Sequence, residues 1–354
     1  MNPAQLRNPA EARQLTVFYH GGCSDGITGA WAIYAALPDE VRARLAALGG
    51  IFAEGRGVID PLEQLAQAGA VFHGISHAGP TPAPELVAGR HVVYVDVAPA
   101  AEVGEAVAAE ARTLAVLDHH RSGKAAVEAL ADAAARRGLP CTAAYTEELS
   151  GAQIAWDWAH PGVPRPEFVD YVGDRDLWAF RLPGSRAANK ALYVEGVTRG
   201  FGPLTDLHRS GGRVGADLAA RGGAYMRYEE QIVARLAASA RLATIASLPP
   251  GETEPREYCV RVVNTPVLQS EVGEAVMEKA GPEVHFAVTW AYAPDRDEIW
   301  ASARTSRPDV DLSKIAPHIV GGRAGGGHPR AAGFTIAGDS IGAAVRWAAA
   351  PAGK

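Results

Sequence analysis

The sequence has few cysteines, no long apolar run and no excess of basic charge, and each shortage removes a class of protein. Three cysteines in 354 residues, Cys23, Cys141 and Cys259, cannot build the disulfide framework that holds small secreted domains together. No segment approaches the roughly 18 consecutive apolar residues of a membrane-spanning helix. The opening stretch MNPAQLRNPAEARQ lacks the basic-then-apolar order of a secretory signal. A cytoplasmic protein with no membrane partner is the expectation. The net charge of −6 argues against a broad basic face for tracking long duplex nucleic acid. Two catalytic signatures are missing as well, the HExxH of metalloproteases and the GK[ST] ending of a P-loop.

What is present is the balance of a globular protein, 47% hydrophobic and 21% charged, with length enough for two domains. LTVFYH (15–20), HVVYVDV (91–97) and TLAVLDHH (113–120) read as strands buried on both faces. Between and after them, GITGAWAIYAAL (26–37) and AAVEALADAAARRG (125–138) read as helices. This alternation predicts an α/β fold with a parallel, doubly wound sheet. From 151 the pattern turns helical, with a long helix pair over 212–245. After SLPPGE (247–252), the segments CVRVVNTP, HFAVTWAYA and IWASARTS alternate apolar and polar residues, which predicts a smaller α/β domain with a mixed sheet. The expected organisation is a disordered tail over 1–14, a first domain over 15–210, a helical linker over 211–250 and a second domain over 251–354.

Three predicted strands end in residues that hold metals: His20, Cys23 and Asp25 after the first, Asp96 after the second, Asp118, His119 and His120 at the third. A single aspartate at a strand end more often caps a helix. Three together at the carboxyl edge of a parallel sheet, where ligands bind in open α/β folds, point to a metal centre. A fourth group, Asp174 and Asp176 in YVGDRDLWAF, reads equally well as surface partners of nearby arginines. Further on, GGRAGGGHPRAAGF (321–334) combines a glycine cluster with His328 and Arg330. The window 301–330 carries five Lys and Arg against two Asp. That local excess suits a small anionic ligand, although a glycine-rich turn is the plainer reading.

Taken in order, these motifs resemble the DHH phosphoesterase superfamily, in the branch with a C-terminal DHHA1 domain. The resemblance covers about 15–335 and rests on VLDHHRSG (116–123), the strand-plus-aspartate HVVYVDV before it, GDRDLW after it, and GGGHPRAAGF near the end. It implies a metal-dependent hydrolase with two divalent ions, Mn²⁺ first, and hydrolysis by a metal-held hydroxide. His20 would bind the first metal, Asp25 the second, and Asp96 both. His119 and Asp174 would complete the second site. Asp118 would orient a ligand from behind, and His120 would contact the substrate phosphate, so that Asp96, His119 and His120 carry the catalysis. In the DHHA1 domain, Arg304 and a loop of Gly325, Gly326, Gly327 and His328 would grip the far phosphate or nucleotide. Family members often form homodimers.

HGGCSDG (20–26) departs from the family pattern, with Cys23 where the first aspartate stands. As a ligand its softer thiolate would favour Zn²⁺ or Fe²⁺ over Mn²⁺. As a small buried residue it would leave one metal weakly held. Both readings stay open. The acidic balance and the local basic patch together favour a small phosphorylated substrate, with Trp31, Trp178 and Trp300 as candidates for base stacking. Phosphodiester hydrolysis of short oligonucleotides or dinucleotides leads. An exopolyphosphatase or nucleotide phosphatase is the alternative within the enzymes, and a catalytically idle nucleotide-binding module is the alternative outside them.

Overall fold

The apolar runs read from the sequence become neighbouring strands. In the computed structural model, which describes residues 2–48, 60–75 and 81–348, the chain divides at Met226/Arg227 into two compact units. In the first, β1 (Leu15–His20), β2 (Val71–Ile75), β3 (His91–Val95), β4 (Thr113–Asp118) and β5 (Cys141–Tyr145) form an all-parallel sheet in the order β2-β1-β3-β4-β5. Successive side chains of a strand point to opposite faces. Val17, Tyr19, Val93, Val95, Ala115 and Leu117 therefore enter one core, and Phe18, Val92, Tyr94, Leu114 and Val116 the other. Both faces are covered, which is why β1, β3 and β4 are largely apolar along their length.

Before β1 the chain forms α1 (Pro3–Leu6) and α2 (Pro9–Ala12). Next come α3 (Ser24–Ala35), α4 (Asp39–Ala47), α5 (Pro61–Ala68), α6 (Ala101–Glu110) and α7 (Lys124–Arg136). A helical run follows: α8 (Gly151–Ala159), α9 (Glu167–Asp176), α10 (Ser185–Val194), α11 (Phe201–Arg209) and α12 (Ala216–Ala238). Helices α3 and α8 contribute Ile27, Trp31, Ile154 and Trp156 to one core. Helices α6 and α7 contribute Val107, Val127 and Leu130 to the other.

Two expectations need correction. Residues 2–14 are not a disordered tail: Leu6 and Ala12 are fully buried, and the Glu11 carboxylate lies 2.5 Å from Nε2 of the buried His91. Apolar contact and a buried polar partner offset the entropy of ordering this segment. Leu6→Ala is accordingly expected to cost about 2–5 kcal/mol of unfolding free energy, measured by denaturant titration; a disordered tail would give no change. The linker is also not wholly helical. Helix α12 runs to Ala238, and β6 (Arg241–Ser247) already belongs to the second sheet. Met1 and 349–354, at the ends of the outer expected segments, lie outside the described residues.

The second unit contains β7 (Arg256–Asn264), α13 (Gln269–Glu278), β8 (Phe286–Ala293), β9 (Glu298–Arg304), α14 (Leu312–Ile315), β10 (Gly322–His328), β11 (Ala331–Ala337) and β12 (Val345–Trp347). Its mixed sheet has the order β10-β11-β9-β8-β7-β6-β12, with β7 and β8 parallel and the other pairs antiparallel. Val260, Phe286, Val288, Ile299 and Phe334 form its main core. The glycine cluster Gly325, Gly326 and Gly327 is part of edge strand β10 rather than a loop. Gly326 pairs with Gly333, and Gly327 with Ala332. A Cβ at Gly325 would overlap the Ala316 carbonyl, so close packing requires glycine there.

Candidate metal centre

Strand order 2-1-3-4-5 places a topological switch between β1 and β3, and ligands of doubly wound folds bind outside the carboxyl ends of such strands. His20 ends β1 and Asp96 follows β3 directly. His20 Nδ1 lies 3.4 Å from Asp96 Oδ2. Asp96 has φ +58°, a left-handed conformation that aspartate tolerates better than most residues. Its N–H is anchored on the Leu117 carbonyl at 2.9 Å, and its carboxylate, 1% exposed, turns inward. Beyond the long 3.4 Å approach of His20 Nδ1, Asp96 Oδ2 is buried with no hydrogen-bond partner among the described residues, a deficit that a bound cation would satisfy.

The next strand supplies the rest. The Asp118 carboxylate accepts from the backbone N–H of His119 at 2.7 Å and of His120 at 3.2 Å, and it lies 2.8 Å from His120 Nδ1. It thereby aims both histidines. His119 Nε2 lies 3.1 Å from Asp96 Oδ1, 3.2 Å from Asp176 Oδ2 and 3.9 Å from Asp25 Oδ2. Asp25 sits buried in the first turn of α3, where the backbone N–H of Ala152 in α8 reaches its two oxygens at 3.2 and 3.3 Å. Two groups result, each with donor atoms within 4.8 Å of one another: His20, Asp96 and His120, and Asp25, Asp96 and His119. They share Asp96.

The clustered carboxylates and imidazoles shift one another's titration. Burial, then Asp96 and Asp176, push the Asp25 carboxyl well up. Burial and Asp96 raise Asp176. Burial also works to raise Asp96, but the His119 and His20 contacts outweigh it and hold Asp96 at about 2. The Asp96 and Cys23 side chains lift His20 to about 10. Burial opposes charge on His119, yet the carboxylates around it lift it to about 9.

Several residues fall elsewhere than the sequence suggests. Asp174 does not join the cluster: its oxygens accept from the backbone N–H of Arg181 at 2.8 Å and Leu182 at 3.1 Å. Residues two apart on a helix face different ways, so when Asp174 turns to the following loop, Asp176 meets His119. His120 enters the first group instead of standing apart from it. Cys23 contacts His20 but belongs to neither group. Residues 150–151, overlooked in the sequence, matter. Gly151 opens α8 behind the carboxylates, and a Cβ there would lie 2.6 Å from Asp96 Cβ and 3.0 Å from Asp25 Oδ2. The signal for this helix start was Ser150 with Gln153, a capping box.

The second unit has a cavity of about 350 Å³ lined by Ser270, Glu274, Arg304, Thr305, Ser306 and Arg330, among others. Arg304 donates to Ser270 Oγ at 2.6 Å and Ser302 Oγ at 3.2 Å, and neither arginine has an ion pair among the described residues. His328 ends β10 and is exposed, outside this lining. Trp31 is excluded from base stacking, since it is 1% exposed and packs on Trp156. Trp300 is half-exposed, with its indole N–H on Glu298 at 2.6 Å.

Residues 258–350 match the DHHA1 domain family. This family match covers about a quarter of the chain. The tripeptide Asp118-His119-His120 lies at the carboxyl edge of the first sheet, and the DHHA1 match spans most of the second unit. An uncharacterized protein of Acanthamoeba polyphaga mimivirus is 23% identical over 226 residues, which is 64% of this chain and 48% of that protein. The chain thus spans about half the length of the curated relative it matches. Among solved structures, a pGpG-specific phosphodiesterase, PggH from Vibrio cholerae, aligns over 91% of this chain and 92% of its own, with TM-score 0.39 and 12% identity. No described helix is long and apolar enough to cross a membrane.

Proposed function

We propose that this chain is a two-metal phosphoesterase that hydrolyses the phosphodiester bonds of short oligonucleotides or dinucleotides. The observation that carries the reading is the pair of ligand groups joined by one buried carboxylate, Asp96. His20, Asp96 and His120 would hold one divalent ion and Asp25, Asp96 and His119 a second, and such a pair would supply Lewis-acid polarisation of a phosphate and a water of lowered pKa. The carboxylates suit Mn²⁺, and with Cys23 outside both groups no thiolate pulls the site toward softer ions, although the imidazoles would also accept Zn²⁺ or Fe²⁺. Asp118 fixes the direction of His119 and His120, and the α8 N-terminus fixes Asp25. The chain's own contribution is an arrangement set before substrate arrives. In the DHHA1 unit, Arg304 and Arg330 supply positive charge for a further phosphate, against Glu274 and Glu278 on the same cavity wall.

Asp176 is part of this site and Asp174 is its support. Asp176→Asn is expected to weaken Mn²⁺ binding about ten- to hundred-fold in calorimetric titration. Asp174→Ala is expected to destabilise the chain by about 1–3 kcal/mol, because two backbone donors lose their acceptor, with a much smaller effect on Mn²⁺. The reverse order would assign the ligand to Asp174. The reaction class is tested by incubating the Mn²⁺-loaded chain with a 5′-phosphorylated dinucleotide and, separately, with polyphosphate. Mononucleotides without free phosphate are expected from the first. Phosphate from polyphosphate alone would move the enzyme to the exopolyphosphatases, and no product from either would leave a binding module.

A further inference from the structure

Two residues beyond Asp176, the chain places a tryptophan where folding gains little from it. Trp178 is 70% exposed and has φ +55°, and Phe180 close by has φ +49°. Bulky side chains rarely adopt such backbone angles, and they persist where surrounding structure enforces them, often at functional sites. Here the enforcement is visible. The Asp174 carbonyl accepts from the N–H of Ala179 at 2.9 Å and of Phe180 at 3.2 Å, while its carboxylate takes the N–H groups of Arg181 and Leu182. One aspartate thus ties down four consecutive amides of this loop.

The aromatic pair is braced from the side. The Phe180 and Trp178 rings meet edge to face, with centroids 4.9 Å apart and planes at 72°. The Arg186 guanidinium lies 3.6 Å from the Phe180 ring centre and 5.4 Å from that of Trp178. An indole held this way loses little further freedom when a planar ligand stacks on it. Its position is also bounded: two peptide steps keep its Cα within about 7.6 Å of the Cα of Asp176, whose carboxylate touches His119.

We propose that Trp178 is a specificity residue that stacks on the nucleobase next to the scissile phosphate, with Phe180 and Arg186 holding the indole in place. The substrate class is then one with a base, a dinucleotide or short oligonucleotide, rather than polyphosphate. This rests on the phosphoesterase reading above, and the test separates the two.

With the full-length chain, binding of a nucleoside monophosphate and of ribose 5-phosphate is measured by calorimetry in the absence of metal. KM and kcat are then measured with Mn²⁺ on a 5′-phosphorylated dinucleotide and on its abasic analogue. Trp178→Ala is expected to weaken nucleoside monophosphate binding about 5- to 150-fold, the range of one base–aromatic stack. Ribose 5-phosphate binding should move far less. The preference for the dinucleotide over its abasic analogue should collapse, mainly through KM, and Trp178→Phe should recover part of it. Equal losses on base-containing and abasic ligands, or a wild-type chain without preference between them, would overturn the proposal. So would a change in oligomeric state with unaltered nucleotide affinity. Base-dependent binding without hydrolysis would keep Trp178 in its role and remove the phosphoesterase reading, whereas hydrolysis without base preference would do the opposite.

Discussion

Asp96→Asn is expected to lower phosphodiester hydrolysis by about a thousand-fold or more, equivalent to ~4 kcal/mol of transition-state stabilisation. Three features make this the largest single effect. Asp96 is the one residue common to both ligand groups, so its loss weakens two metals at once. Its carboxylate is 1% exposed, so water cannot replace the missing charge. Asparagine keeps the shape and tolerates the φ of +58° that the position requires, so the chain should still fold. Removing the Asp96 charge also removes one cause of the raised Asp25 and Asp176 carboxyls. Circular dichroism should therefore match wild type while steady-state hydrolysis falls. Hydrolysis within ten-fold of wild type would place the chemistry elsewhere.

Gly151→Ala pits two effects against each other. Alanine is the better helix former by up to about 1 kcal/mol, and at the first position of α8 the gain is smaller. Against that, the new methyl would lie 2.6 Å from Asp96 Cβ and 2.9 Å from Asp96 Oδ1. Asp96 can yield only by shifting its carboxylate, because its backbone N–H is anchored on the Leu117 carbonyl and the residue is 1% exposed. Overpacking of this kind costs about 1–3 kcal/mol, so the clash wins. A shift of about 1 Å in a catalytic carboxylate lowers turnover roughly a hundred-fold. Thermal melting and kcat measured together should both fall. A more stable, fully active Gly151→Ala chain would mean that α8 does not brace the carboxylates.

Where the sequence was readable, burial made it so. Strands β1, β3 and β4 lie inside the sheet and are buried along their length except at His20, which leaves apolar runs with polar residues at their ends. Strands β2 (VFHGI) and β5 (CTAAY) are the two edges, only partly buried, and their composition gave no such run. The segment GGRAGGGH looked like a loop because glycine has little intrinsic strand preference. Its pairing with Phe334, Gly333 and Ala332 is a tertiary fact that local composition does not contain. The choice between Asp174 and Asp176 was equally hidden, since it depends on the rotation of α9 relative to His119. Gly151 became legible only once Asp96 and Asp25, far away in the chain, were seen to converge on it.

The central claim is that one carboxylate joins two metal sites, and anomalous diffraction from Mn²⁺-loaded crystals of the full chain tests it most directly. Two peaks about 3.5–4 Å apart are expected, one beside His20 and His120, the other beside Asp25 and His119, with Asp96 between them. A single peak, or two peaks that do not share Asp96, would contradict it.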